Sequence, residues 1–174
     1  MHAQHRARPR AAFALALALA LLAGGCFMRG PDAGTVEPIR VSEMLDSPDP
    51  ARRASTRLVI EGLDADLAYD GVRARGSYER AIQVDPTNPM AYLALARHEI
   101  DALEGQRALQ LLGQAAGLFE AEGLRVDRVG VHLMGLRGLA YETMGQDGSD
   151  LLDRAAALAP DVWGDGDLSP DELR

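Results

Sequence analysis

The sequence contains no lysine, so its 18 strongly basic side chains are all arginines. This absence excludes a Schiff-base lysine and the lysine of a phosphate-binding loop as sources of chemistry. Aromatic residues make up only 5% of the chain, whereas alanine and leucine are abundant. Because strands favour β-branched and aromatic residues, this composition favours a helical fold.

The sequence also has fewer basic than acidic residues. The chain has 26 acidic residues and a formal net charge of -8. Its length of 174 residues predicts one domain, or a small domain with additional segments. A nucleic-acid partner requires a cationic face, so we expect no nucleic-acid binding.

Cysteine occurs once, as Cys26, which makes an intramolecular disulfide impossible. The segment before it carries Arg6, Arg8 and Arg10 and then an apolar run of 13 residues, 11–23. A membrane-spanning helix needs about 20 apolar residues. A cationic start followed by a short apolar run is typical of a secretory signal peptide, so we expect residues 1–25 to be removed.

The end of this segment, Leu-Ala-Gly-Gly-Cys at residues 22–26, resembles the lipobox of bacterial lipoproteins. The resemblance implies a lipid on the Cys26 thiol, such as palmitate, cleavage before Cys26 and acylation of the new amino terminus. Phe27 follows Cys26 where lipoproteins retained in the inner membrane of some bacteria carry aspartate. The implied location is the cell envelope, at the outer membrane facing the periplasm; simple secretion and a cytosolic start remain alternatives.

Residues 26–50 combine four prolines with two glycines, a composition typical of a flexible tether. Regular structure is expected to begin at Asp49-Pro50, because aspartate caps helices well and proline suits their first position.

Beyond the tether, residues of similar size recur 34 positions apart. The matched pairs are Leu58 and Tyr92, Gly62 and Ala96, Ala74 and Ala108, Tyr78 and Leu112, and Ala81 and Ala115. These residues, with Pro86, resemble the tetratricopeptide repeat, a helix–turn–helix unit whose small residues allow two helices to approach closely. The resemblance predicts an all-α fold, a short α-solenoid over residues 51–162. Its three units are 55–88, 89–122 and 131–162, the last matched through Gly138, Tyr141, Gly145, Leu152, Ala155 and Pro160.

The first helix of each tetratricopeptide unit lines a concave face that binds peptides. The resemblance therefore implies a peptide-binding groove lined by Thr56, Val59, Leu63, Asp66, Met90, Leu93, Arg97, Ile100, Asp101, His132, Leu139 and Glu142. The alternative is that these side chains pack against the linker or against each other.

The acidic tail, 163–174, overlaps a segment, 161–172, that resembles an EF-hand calcium loop. The resemblance implies calcium ligands at Asp161, Asp165, Asp167, Ser169 and Glu172. However, Trp163 replaces the third ligand and the exit helix is nearly absent. The alternative is a capping tail in which Trp163 packs over the last helix pair.

No nucleophile elbow, glycine-rich phosphate loop or paired-cysteine zinc motif is found in the sequence. We therefore expect a non-enzymatic protein without a cofactor. The predicted function is a membrane-tethered scaffold or adaptor for protein partners in an envelope assembly of the outer-membrane, pilus or secretion type. A calcium-responsive envelope protein and an unrecognised hydrolase are the alternatives.

Overall fold

The structure is a computed structural model that describes residues 35–123 and 126–174. Within these ranges every regular element is helical and no strand is found, as the composition predicts. The predicted signal peptide, Cys26 and the first part of the predicted tether, 26–34, lie outside the described residues. Of the helices in the described part, none is long and apolar enough to cross a membrane.

Six helices form three consecutive hairpins, each packed most extensively within itself. They are α1 (Pro50–Leu67) with α2 (Gly71–Val84), α3 (Pro89–Asp101) with α4 (Gly105–Ala121), and α5 (Val126–Thr143) with α6 (Ser149–Leu158). A 3₁₀ turn (Val41–Asp46) precedes them, and two short helices, α7 (Pro160–Trp163) and α8 (Pro170–Leu173), follow. The helices α1 and α5 begin about five residues before the predicted units.

Local capping explains where the first helices of two hairpins begin. The carboxylate of Asp49 accepts a hydrogen bond from the backbone N–H of Ala51 at 2.9 Å, and Pro50 occupies the first helical turn. Asn88 does the same for Met90 at 3.1 Å, ahead of Pro89. The predicted helix start at Asp49-Pro50 is confirmed.

The small residues that recur along the sequence lie where helices touch. The side chains of Ala74, Ala81, Ala108, Ala115 and Ala155 are fully buried. A Cβ atom added to Gly62 of α1 would overlap the ring of Tyr78 on α2, so the absence of a side chain there permits the close approach of the two helices.

The three hairpin turns share one hydrogen-bond pattern. In each turn, a residue with positive φ is followed by a residue whose backbone N–H donates to a carbonyl five positions earlier, as in a Schellman motif. The residues with positive φ are Tyr69, Leu103 and Gly145, and the bonds run from Asp70 to Ala65 at 2.9 Å, from Glu104 to Glu99 at 2.8 Å and from Gln146 to Tyr141 at 2.9 Å.

The predicted flexible tether is wrong for residues 35–50, which pack onto the hairpins. Val41 is fully buried and Ile39 nearly so. The guanidinium of Arg128, near the start of α5, donates to the carboxylate of Glu43 at 2.9 Å and to the carbonyl of Glu37 at 2.8 Å. Two apolar side chains and this arginine hold the segment in place.

The C-terminal tail returns to the first hairpin. Leu168 and Leu173 are fully buried, and α8 packs against α1. The guanidinium of Arg174 lies 2.7 Å from the carboxylate of Asp64. The backbone oxygen of Arg174 accepts a hydrogen bond from the backbone N–H of Ser42 at 2.8 Å. The 3₁₀ turn and the C-terminal tail therefore meet beside α1.

Trp163 is fully buried against α5, where a Cβ atom on Gly135 would overlap the indole ring. The predicted packing of Trp163 over the last helix pair is thus confirmed.

Candidate functional site

The residues predicted to line a peptide groove are mostly inaccessible in this structure. Buried side chains include those of Thr56, Val59, Leu63, Met90, Leu93, Arg97, Ile100 and His132. The cause is packing by other parts of the same chain: α1 contacts the 3₁₀ turn and α8, and α3 contacts α5. The predicted open groove is therefore not observed, and the alternative of internal packing describes these side chains. Of the remaining predicted positions, Asp101 and Glu142 are exposed and Leu139 is half-buried.

Two predicted groove residues, Asp66 and Arg97, belong to a buried polar cluster between α1, α2 and α3. One carboxylate oxygen of Asp66 accepts hydrogen bonds from Tyr78 at 2.9 Å and from Arg97 at 2.8 Å. The other lies 2.8 Å from Nδ1 of His98. Arg97 also donates to the carbonyl of Leu168 at 3.3 Å, so the cluster attaches the C-terminal tail to α3.

The electrostatics of the cluster follow from these contacts. Burial alone would raise the pKa of Asp66, but the hydrogen bonds from His98, Arg97 and Tyr78 hold it below its ordinary value. Burial raises the pKa of the Tyr78 hydroxyl, and the neighbouring Asp66 carboxylate raises it further. Asp66 is thus a carboxylate whose hydrogen-bonding capacity is used within the protein.

Two cavities open beside this cluster, at the ends of α1 and α3. The larger has a volume of about 570 Å³ and is lined by Asp66, Tyr69, Gly71, Val72, Arg75, His98, Asp101 and Ala102. The smaller, of about 330 Å³, is lined by Asp66, Leu67, Tyr69, Arg97, Asp101, Asp167, Ser169 and Pro170. Because both share Asp66, Tyr69 and Asp101, the two cavities adjoin along this edge.

Large apolar side chains stand in solvent along the same edge. Tyr69 is 97% exposed, Val72 88%, Leu103 75% and Leu67 42%. We call these four residues the turn-edge surface. Tyr69 and Leu103 occupy the positive-φ positions of successive turns, with φ of 59° and 62°, where glycine is most easily accommodated and where the third hairpin has Gly145.

The sequence-based prediction missed this surface. Its signal was present, because Tyr69 and Leu103 are 34 residues apart, the spacing of the repeat. However, both lie in turns, whereas the repeat pattern of the sequence is defined by residues within helices.

Another buried carboxylate joins the first two hairpins. Glu99 is fully buried, and its carboxylate lies 2.9 Å from the guanidinium of Arg75 on α2 and 3.3 Å from that of Arg107 on α4. Arg75, which lines the larger cavity, is thereby paired with a fixed internal charge.

Two of the predicted calcium ligands, Ser169 and Glu172, are used in local capping, and Asp165 is used in a turn. Glu172 accepts hydrogen bonds from the backbone N–H and the hydroxyl of Ser169 at 2.8 and 2.7 Å, in a capping box of α8. Asp165 accepts from the backbone N–H of Asp167 at 3.2 Å, and Asp161 lies in the first turn of α7. No group of three or more histidine, cysteine, aspartate or glutamate residues in the described ranges could hold a metal ion.

Comparison of the chain with protein-family models, with curated proteins and with solved structures found no match.

Proposed function

We propose that this chain is a lipid-anchored interaction module of the tetratricopeptide type, which acts as a scaffold or adaptor for a protein partner in a bacterial envelope assembly. The lipobox-like segment at 22–26 supports anchoring through Cys26, by palmitate or a related acyl group, with the domain facing the periplasm. Three helical hairpins with small residues at their contacts support the repeat type.

The turn-edge surface carries the binding part of the proposal. Contiguous exposed apolar residues rimmed by polar ones mark interaction sites on soluble domains. Here Tyr69, Val72 and Leu67 line two adjoining cavities, and Asp101 lines both. In contrast to the predicted groove, this edge is accessible without any rearrangement of the chain.

The polar cluster beside the cavities favours binding over catalysis. Asp66 uses its carboxylate oxygens on Tyr78, Arg97 and His98. A general base must reach the proton that it abstracts, whereas this carboxylate has its partners within the fold.

The proposal is tested by chemical crosslinking in intact cells that express the full-length chain. We expect a discrete crosslinked product for the wild type and its loss in the double variant Tyr69→Asn, Leu103→Asn. Asparagine is tolerated at positive φ, so these substitutions remove apolar surface without straining the turns. The matched control is Val84→Ser, at an apolar side chain that is 43% exposed and is not part of the turn-edge surface.

Equal products from the wild type and the double variant would refute docking through this edge. Anchoring is tested separately with Cys26→Ser. We expect this variant to remain unprocessed or to leave the membrane fraction, and normal processing with normal membrane retention would refute lipidation at Cys26.

A further inference from the structure

We propose that the turn-edge surface binds a segment of a partner protein in which a cationic side chain stands beside an apolar one. This inference rests on the proposed function, because it specifies the chemistry of the partner at the same surface. The argument uses the charges around the two cavities, the exposure of the aromatic ring and the apolar lining.

Two exposed carboxylates lie at this edge. Asp101 and Asp167 both line the smaller cavity, and the Asp101 side chain is 54% exposed. Among the described residues, Asp167 forms no ion pair, and its carboxylate accepts a hydrogen bond from the backbone N–H of Leu168 at 2.7 Å. The smaller cavity therefore presents negative charge to whatever enters it.

The two arginines that line these cavities, Arg97 and Arg75, both have carboxylate partners within the protein. Arg97 has only 4% of its side chain exposed and lies 2.8 Å from Asp66 and 2.9 Å from Asp101. Arg75 is paired with the buried Glu99. Since the carboxylates of Asp66, Asp101 and Asp167 face the single guanidinium of Arg97 around the smaller cavity, the lining of this cavity has an excess of negative charge.

The pKa of Asp101 is consistent with an excess of negative charge around the smaller cavity. Burial raises the pKa of its carboxyl group, and the charges of Asp167 and Asp66 raise it further, although Arg97 acts in the opposite direction. A cation placed between Asp101 and Asp167 would offset this repulsion.

The remaining lining fits the apolar part of a polypeptide. Tyr69, which is shared by both cavities, offers an exposed ring face to a guanidinium or ammonium group. Val72 and Ala102 line the larger cavity next to it. The two cavities therefore fit two neighbouring side chains of a partner. The smaller cavity would receive a cationic side chain and the larger one an apolar side chain.

Fluorescence anisotropy of a labelled, end-capped octapeptide that alternates arginine and leucine tests this chemistry on the full-length protein in detergent micelles. Two further peptides serve as probes, one alternating glutamate and leucine and one alternating arginine and serine. We expect the arginine–leucine peptide to bind more tightly than either of the others. We also expect its binding to weaken as the salt concentration rises.

The variants separate charge from apolar contact. The double variant Asp101→Asn, Asp167→Asn should lower the affinity by about fivefold or more, as the loss of two exposed ion pairs implies. The control Asp150→Asn, Asp153→Asn removes the same charge from exposed positions of α6 and should leave the affinity within about twofold. Tyr69→Asn with Leu103→Asn should weaken binding of the arginine–leucine peptide more than that of the arginine–serine peptide.

Equal binding of the glutamate–leucine peptide, or equal affinities for the Asp101→Asn, Asp167→Asn variant and its control, would overturn the inference. Displacement of the labelled peptide by spermidine as effectively as by the unlabelled arginine–leucine peptide, at equal charge concentration, would also overturn it, in favour of a small amine. If the crosslinked product in cells is nevertheless lost with Tyr69→Asn, Leu103→Asn, the proposed function stands and only the partner chemistry fails. If that product persists, docking of a partner through the turn-edge surface, which is the binding part of the proposed function, fails.

Discussion

Gly62 and Tyr78 meet so closely that a Cβ atom on Gly62 would overlap the edge of the Tyr78 ring. The tyrosine ring is fully buried at this point, and its hydroxyl continues into the hydrogen bond with Asp66 at 2.9 Å. One glycine therefore determines both the separation of α1 and α2 and the position of the buried polar cluster.

Substitution of this glycine should destabilise the fold. We expect Gly62→Ala to lower the free energy of unfolding by about 1–3 kcal/mol, because the added methyl group must displace the ring. Gly76, in the middle of α2, has no atom within 4 Å of an added Cβ, so Gly76→Ala should raise stability by about 0.5–1 kcal/mol. Urea unfolding followed by circular dichroism measures both, and equal effects of the two variants would contradict the helix contact.

The ion pair between Asp66 and Arg97 should be far more important than the surface ion pairs. We expect Asp66→Asn to cost about 3 kcal/mol of unfolding free energy, because it removes the buried carboxylate partner of Arg97 and leaves that guanidinium paired only with the more exposed Asp101 among the described residues. The control is Glu61→Gln on the same helix, whose partner Arg73 is 3.4 Å away and 62% exposed; it should cost less than about 1 kcal/mol. A loss below 1 kcal/mol for Asp66→Asn would show that the cluster is not structural.

Stability should depend on pH through His132. Burial lowers the pKa of this imidazole to about 4 from 6.5, and the charge of Arg40 lowers it too, although the hydrogen bond to the Ile39 carbonyl acts in the opposite direction. The unfolded chain therefore binds the proton more readily than the folded one. The contribution of His132 is complete above pH 6.5 and is lost as pH falls from 6.5 to about 4.

The full loss is on the order of 3 kcal/mol, from the size of this pKa difference. Urea unfolding at a series of pH values measures it. His132→Gln removes the titration while keeping an N–H donor for Ile39, and it should flatten the dependence between pH 6.5 and 4. An unchanged slope in the variant would assign the dependence to other groups.

The C-terminal tail should contribute to the stability of the first hairpin. Leu173 is fully buried where α8 packs on α1, so Leu173→Ala should cost about 2–5 kcal/mol. The neighbouring Asp171 is exposed, and Asp171→Ala should change stability by less than about 0.5 kcal/mol. A calorimetric melting curve compares them; a tail that is only loosely attached would show no difference.

Local signals in the sequence predicted the helical part of the fold well. The cap at Asp49 and the buried alanines at Ala74 and Ala81 depend on neighbouring residues and on helix periodicity, which can be seen in the sequence. The docked position of Ile39 and Val41 was missed because it depends on partners distant in sequence, such as Arg128 and His132. Proline and glycine around them suggested flexibility instead.

The candidate site was only partly predictable for a similar reason. The family resemblance indicates which side of α1 and α3 faces inward, and Val59 and Leu93 do face inward. It does not indicate whether the chain's own ends fill that side, since this depends on the packing of Leu168 and Leu173. Conversely, residues with positive φ are expected to be glycine, so Tyr69 and Leu103 carry no recognisable sequence signature of their conformation.

Docking through the turn-edge surface is tested most directly by a photo-crosslinking amino acid placed in the full-length chain, in cells, at Val72 or at Glu142. Both positions are exposed, the first beside the cavities and the second at a position predicted for the concave groove. We predict a discrete crosslinked product from Val72 and none from Glu142. A product from Glu142 alone, or from neither position, would contradict the account.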